Sequence, residues 1–275
     1  ANGRKRWCAA RYSFGDTITF NYSNLSYTDD AGHGYEYQLF LPPYNEVTWL
    51  EIGIPQDAKF SFLPVSQEKP IVIYGTSIAQ GACASRPGMV WGNIINRTLE
   101  HPVINLGFSG NGQLEAEFFD LLTEIDAKLY IIDCLPNMTN NRTEWIYERT
   151  LNGVKKLRQK SKAPILLVEH NGYANEFSSS AAEDSYRKTN IELRKAYDDL
   201  IAEGIQELHY LTKEEIGWFK LYEKIPPINE NVELKINVNG EEKIQVNRLV
   251  AMMDGTYKWA YCDYNNCEVL AWREM

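Results

Sequence analysis

A serine that attacks an acyl carbon needs donors for the oxyanion that forms and a base for the proton it gives up. Residue types suited to the first two tasks stand in three clusters of this 275-residue chain. The first is Tyr74-Gly75-Thr76-Ser77-Ile78. Its glycine permits a tight turn, and Ser77 would open a helix with its own amide and the helix dipole facing whatever the hydroxyl attacks. The second, Asn105-Leu106-Gly107-Phe108-Ser109-Gly110-Asn111-Gly112, is a glycine-rich stretch offering backbone amides, that of Gly107 among them. The third, Asp133-Cys134-Leu135-Pro136-Asn137, adds an amide side chain in Asn137. Singly, each is an ordinary helix cap, glycine turn or loop start. In this order on consecutive strands they compose an acyl-transfer site, with Ser77 as nucleophile and Gly107 and Asn137 as oxyanion donors.

The elements that must carry these clusters are legible as well. Short apolar runs at 71–74, 103–106, 129–132, 165–168 and 206–211 alternate with segments of helical spacing at 114–125, 145–160 and 185–202. That alternation predicts an α/β domain over 69–217, with a parallel sheet of about five strands covered by helices on both faces. Chemistry in such a sheet belongs at the C-terminal strand ends, where all three clusters fall. Before it, residues 1–68 show period-two alternation broken by Gly, Pro, Asn and Asp, at 17–22, 35–40 and 47–52. These read as antiparallel strands of a β-sandwich-like region. Arg6-Trp7-Cys8 already looks like a strand, so the region reads as partial. After Gly217 the pattern changes again to a small β-rich tail, 218–275. There Asn239-Gly240 marks a hairpin between 232–238 and 243–246, and further strands are expected at 257–261 and 267–272.

Composition excludes some functions. A net charge of -9 and a pI near 5.1 argue against nucleic acid as a partner, since that affinity comes from Lys and Arg on phosphates. The longest apolar runs fall far short of the roughly 20 residues of a membrane span. Cys262 and Cys267 are close in sequence but lack the second pair or histidines of a zinc site, so no metal is expected, and serine chemistry needs no cofactor.

Gly75-Thr76-Ser77-Ile78 resembles the Gly-Asp-Ser-Leu block of the SGNH, or GDSL-like, ester hydrolases, with Thr76 in place of Asp. Asn105-Leu106-Gly107 is similar to that family's second block and the Asn137 region to its third. The run from Gly75 through Cys83-Ala84-Ser85-Arg86-Pro87-Gly88-Met89 resembles a subgroup in which a β-sandwich-like domain precedes the hydrolase domain. The resemblance covers about residues 4–217. It implies a flavodoxin-like three-layer domain and esterase chemistry on small acyl esters or acylated carbohydrates, often deacetylation. It also points to an exported or periplasmic protein, although Ala1-Asn2-Gly3-Arg4 shows no charged-then-apolar leader pattern.

The fourth family block, a late Asp-x-x-His, is where the chain departs. Its only comparable string is Asp254-Gly255-Thr256-Tyr257, and a tyrosine, with a pKa near 10, is a poor base at neutral pH. Of the four histidines, His33, His101 and His209 fall in a turn, before a strand and inside a strand. His170, in Val168-Glu169-His170-Asn171-Gly172, follows a strand on the site edge and is the candidate base for Ser77. The alternative is an SGNH-like protein with impaired catalysis that binds carbohydrate or a protein partner.

Overall fold

The computed structural model describes residues 11–13, 17–22, 25, 34–172 and 180–216, and the strands at 231–238, 241–251, 257–259 and 267–274. Two compact units result, Ala1–Gln67 with Arg86–Gly88, and Glu68–Ser85 with Met89–Met275.

In the first unit β1 (Arg11–Ser13) pairs antiparallel with β2 (Thr19–Asn21). The alternating segments at 35–40 and 47–52 are not strands. Alternation is only half of what a strand requires. Tyr35, Tyr37, Leu39, Trp49, Leu50 and Ile52 all remain exposed, so no apolar face is buried to hold a pairing register.

The second unit holds the expected parallel sheet. Its strands are β3 (Ile71–Thr76), β4 (Val103–Phe108), β5 (Leu129–Asp133), β6 (Ile165–Val168) and β7 (Leu208–Leu211), in the order β4-β3-β5-β6-β7. Counted within the sheet this is 2-1-3-4-5, the flavodoxin-like order. Every residue of β3 is buried, as a central strand covered on both faces must be. Val72 and Tyr74 enter one core with Tyr130, Ile132, Leu157 and Leu193. Ile71 and Ile73 enter the other with Ala79, Ile131 and Val168. Each buried Val, Ile or Leu among them contributes about 1.5–3 kcal/mol of burial.

The helices are α1 (Ser77–Gln80), α2 (Trp91–Leu99), α3 (Ala116–Leu122), α4 (Ile146–Lys160), α5 (Ser180–Ala202) and α6 (Lys213–Ile216). On α4 the buried positions Ile146, Thr150, Gly153, Val154 and Leu157 recur at helical spacing. Arg158 then ties the end of α4 to the sheet, donating to the carbonyls of Ser161, Ala163, Gln206 and Glu207 at 2.7–3.1 Å. Helix α2 is not apparent from sequence, because Gly92, Asn93 and Asn96 lower the helix propensity of a segment of only 9 residues.

In the tail, β8 (Asn231–Val238), β9 (Glu241–Ala251), β10 (Tyr257–Trp259) and β11 (Cys267–Glu274) form an antiparallel sheet in the order β10-β9-β8-β11. Val238 pairs with Glu241, so β8 and β9 form the expected hairpin, while the turn residues Asn239 and Gly240 lie outside the described residues. Among the described residues no helix is long and apolar enough to cross a membrane.

Candidate active site

At the end of β3 the buried Thr76 caps the turn into α1, its hydroxyl accepting from the Ile78 amide at 3.3 Å. Threonine and aspartate are both good N-caps, so Thr76 can stand where the Gly-Asp-Ser-Leu block has aspartate. Ser77 is the first residue of the helix and half-buried, and its carbonyl accepts from Gly81 and Ala82 at 3.0 and 2.8 Å. The helix is a single turn of 4 residues. A dipole grows with aligned peptides, so the contribution expected from it is small, and local amides are left as the electrostatic resource.

Parallel pairing sets Gly75 opposite Gly107 and Thr76 opposite Phe108. A Cβ on Gly107 would lie 2.6 Å from Gln80 Cα and 2.7 Å from the Ala79 carbonyl carbon, so glycine is what lets α1 lie against β4. Asn105 fastens the same contact: its Nδ2 donates to the Ala79 carbonyl at 2.7 Å, and its Oδ1 accepts from the Gly107 amide at 3.0 Å. The amide expected to serve an oxyanion therefore has a partner inside the site, which a reacting oxygen must displace or share. Nothing in the local sequence marks Asn105 as a staple, because its partner lies 26 positions away.

Asn137 closes the 3-10 turn Leu135–Asn137 after β5, and its Nδ2 donates to the Asn111 carbonyl. Arg142 holds the Asn137 carbonyl at 3.2 Å. The loop between β4 and α3 in turn presses on β3. Gly112 has φ +67, and a Cβ there would lie 2.7 Å from the Gly75 carbonyl carbon. Contacts thus run from β3 to the glycine loop and on to Asn137. They gather at the C-terminal edge between β3 and β5, where the strand order reverses and open α/β sheets bind ligands.

His170 follows β6 and is buried, its ring stacked on Tyr186 of α5 with centroids 5.5 Å apart. Asn190 brackets its backbone, accepting from the His170 amide at 2.8 Å and donating to its carbonyl at 3.0 Å. Glu169, beside it, accepts from the Tyr210 hydroxyl and the Lys213 amide, each at 2.7 Å. Burial, then that carboxylate, push the Tyr210 phenol well above its usual range. The His170 Nδ1 accepts from the Gly172 amide at 2.9 Å. In the neutral ring this puts the proton on Nε2, so a base role at Nε2 requires the other tautomer and loss of the Gly172 bond.

The remaining histidines differ in setting. His101 is held between Glu68 at 2.6 Å and the Lys69 carbonyl at 2.8 Å, and His209 is an exposed residue of β7. His33, Cys262 and Asp254-Gly255-Thr256 lie outside the described residues. Tyr257 begins β10, paired with Ala251 of β9.

Asp133 ends β5 opposite Gly75, and burial pushes its carboxyl up to about 6 from 3.8. A carboxyl raised on folding holds its proton better in the folded state, so its contribution to stability falls as pH rises from about 4 to 6 and stays low above. Asp133→Asn is therefore expected to be more stable than the parent at pH 7, by on the order of 2 kcal/mol. The gain should vanish below pH 4. Urea melts at pH 3.5 and 7 check this, and equal differences at both values contradict it.

A serine at a strand-helix turn of a 2-1-3-4-5 sheet, with a glycine and an asparagine at the next two strand ends, is the arrangement that the resemblance to SGNH hydrolases implies for its first three blocks. The chain belongs to the GDSL-like lipase/acylhydrolase family, whose model matches residues 68–222. Residues 1–60 match the model for the N-terminus of SGNH-hydrolase-type esterases. Among solved structures, a protein from Bacteroides ovatus of GDSL-like lipase type is 33% identical, with a TM-score of 0.56 over 63% of this chain and 51% of its own. The salicylyl-acyltransferase SsfX3 of a tetracycline biosynthetic pathway is 20% identical, with a TM-score of 0.44 over 57% and 48%. A family two carbohydrate esterase from Clostridium thermocellum is 13% identical, with a TM-score of 0.44 over 56% of each chain. The chain thus spans about half the length of these three structures. No curated protein matches it.

Proposed function

We propose that the chain is a serine ester hydrolase acting on small acyl esters, acetylated carbohydrates among them. What supports this is that Ser77, Gly107 with the loop after β4, and Asn137 follow one another on neighbouring strand ends at one sheet edge, within a chain of the GDSL-like family. In this reading Ser77 Oγ attacks the ester carbonyl carbon and gives its proton to a base. The Ser77 and Gly107 amides and the Asn137 side chain stabilise the oxyanion, the alcohol leaves, and water then releases the acid from the acyl-enzyme. His170 is the imidazole this reading offers as base, acting through the tautomer with its proton on Nδ1. The carbohydrate part of the proposal rests on the sequence resemblance, which implies deacetylation of carbohydrates.

One observation favours the alternative, a protein of this fold that binds carbohydrate or a partner without turnover. That observation is the Gly172 bond, which holds His170 in the tautomer unsuited to the task. Hydrolysis of p-nitrophenyl acetate and acetate release from an acetylated oligosaccharide separate the two, with Ser77→Ala as blank. The expected result is parent turnover above the blank and His170→Ala reduced to it. Retained turnover in folded His170→Ala assigns the base elsewhere. A parent no faster than the blank favours binding alone.

A further inference from the structure

Beneath the glycine loop lies a polar contact that serine catalysis does not itself require. Tyr74 is fully buried in β3, between Phe118, stacked at 4.5 Å, and Phe119, edge-on at 5.9 Å. Its hydroxyl reaches out of this apolar setting to donate to Glu115 Oε2, and receives the Glu115 amide at 3.3 Å. The same Oε2 accepts from the Gln113 amide at 2.7 Å, and Arg149 of α4 donates to the Gln113 carbonyl at 2.7 Å. Segment 113–115 is thereby gripped from β3 and from α4. Immediately before it stand Gly112, pressed on Gly75, and Asn111, whose carbonyl takes the Asn137 amide.

We propose that Tyr74 and Glu115 are positioning residues of the active site, a clamp that fixes the loop following β4, which carries Asn111, and through it the Asn137 side chain. The inference rests on the reading of Ser77, Gly107 and Asn137 as an acyl-transfer site and adds to it the part that sets its geometry. Preorganised donors are effective only when they stand where charge develops, so a loosened loop costs transition-state stabilisation more than substrate binding. Burial above all, and then Cys134 and Glu115, push the Tyr74 phenol far above its usual range, so it remains a donor throughout the working pH range.

The test compares steady-state hydrolysis of p-nitrophenyl acetate by the parent, Tyr74→Phe, Glu115→Ala and Glu115→Gln, with Ser77→Ala as blank and circular dichroism at the assay temperature as the check on folding. Tyr74→Phe keeps the ring and its stacking while removing one oxygen. Glu115→Gln keeps an acceptor for both donors. The expected result is that Tyr74→Phe and Glu115→Ala lower kcat about 10- to 100-fold, the scale of a misplacement near 1 Å, with KM within about twofold. Glu115→Gln is expected to recover most of that loss. Folded variants that keep the parent kcat overturn the clamp alone, as does a Glu115→Gln no better than Glu115→Ala. Should Glu115→Ala fail to fold, Tyr74→Phe and Glu115→Gln decide by the same criteria. A parent no faster than Ser77→Ala removes the reaction being positioned and overturns both the clamp and the functional reading.

Discussion

Ser77→Ala is expected to reduce ester hydrolysis by about 10⁴-fold, or to the spontaneous rate, while leaving the fold intact. The loss is large because no acyl-enzyme can form, and the remaining donors act only on direct attack by water. Little structure should be lost with it. Thr76 supplies the cap, the Ser77 carbonyl keeps its bonds to Gly81 and Ala82, and alanine is at least as good a helix former as serine. The melting temperature should therefore stay close to that of the parent, which separates loss of chemistry from loss of structure.

Gly107→Ala is expected to be nearly as damaging for a different reason. The new methyl meets backbone atoms of Ala79 and Gln80, not the yielding end of a side chain, so α1 must move away from β4 and take Ser77 with it. Overpacking of this kind costs about 1–3 kcal/mol, and a displacement near 1 Å of the nucleophile costs about 100-fold in rate. Gly110→Ala is the comparison, since nothing lies within 4 Å of its added Cβ and only the positive φ of +72 opposes it. That variant should lose about 1 kcal/mol of stability. Thermal melts and p-nitrophenyl acetate rates on both variants check the contrast. Equal, small effects would show that α1 does not depend on the close approach at Gly107.

How much of this the sequence reveals depends on the range of the interactions involved. Strands β3 to β7 and helices α3 to α5 are read correctly because a covered parallel strand must be an apolar run and an amphipathic helix must repeat every three to four residues. The strand ends place Ser77, Gly107 and Asn137 for the same reason. Alternation at 35–40 and 47–52 misleads, since a strand also needs a hydrogen-bonding neighbour and a face to bury, and neither is written locally. Long-range polar contacts are the other gap. Asn105 reaches Ala79 across 26 positions, and Tyr74 reaches Glu115 across 41. One clue does exist for the latter: a tyrosine inside a fully buried strand must find a partner for its hydroxyl. The protonation pattern of His170 rests on a bond to Gly172 that only the folded loop reveals.

The central claim is that Ser77 is an activated nucleophile, and covalent labelling by a fluorophosphonate probe tests it most directly, because an ordinary serine hydroxyl reacts with such reagents far more slowly than one with a base and oxyanion donors around it. The parent and Ser77→Ala proteins are incubated with the probe, digested and mapped by mass spectrometry. The expected result is one adduct on the peptide containing Ser77 in the parent, formed within minutes, and none on Ser77→Ala. An unlabelled parent, or equal labelling of the two proteins at another residue, would contradict the account.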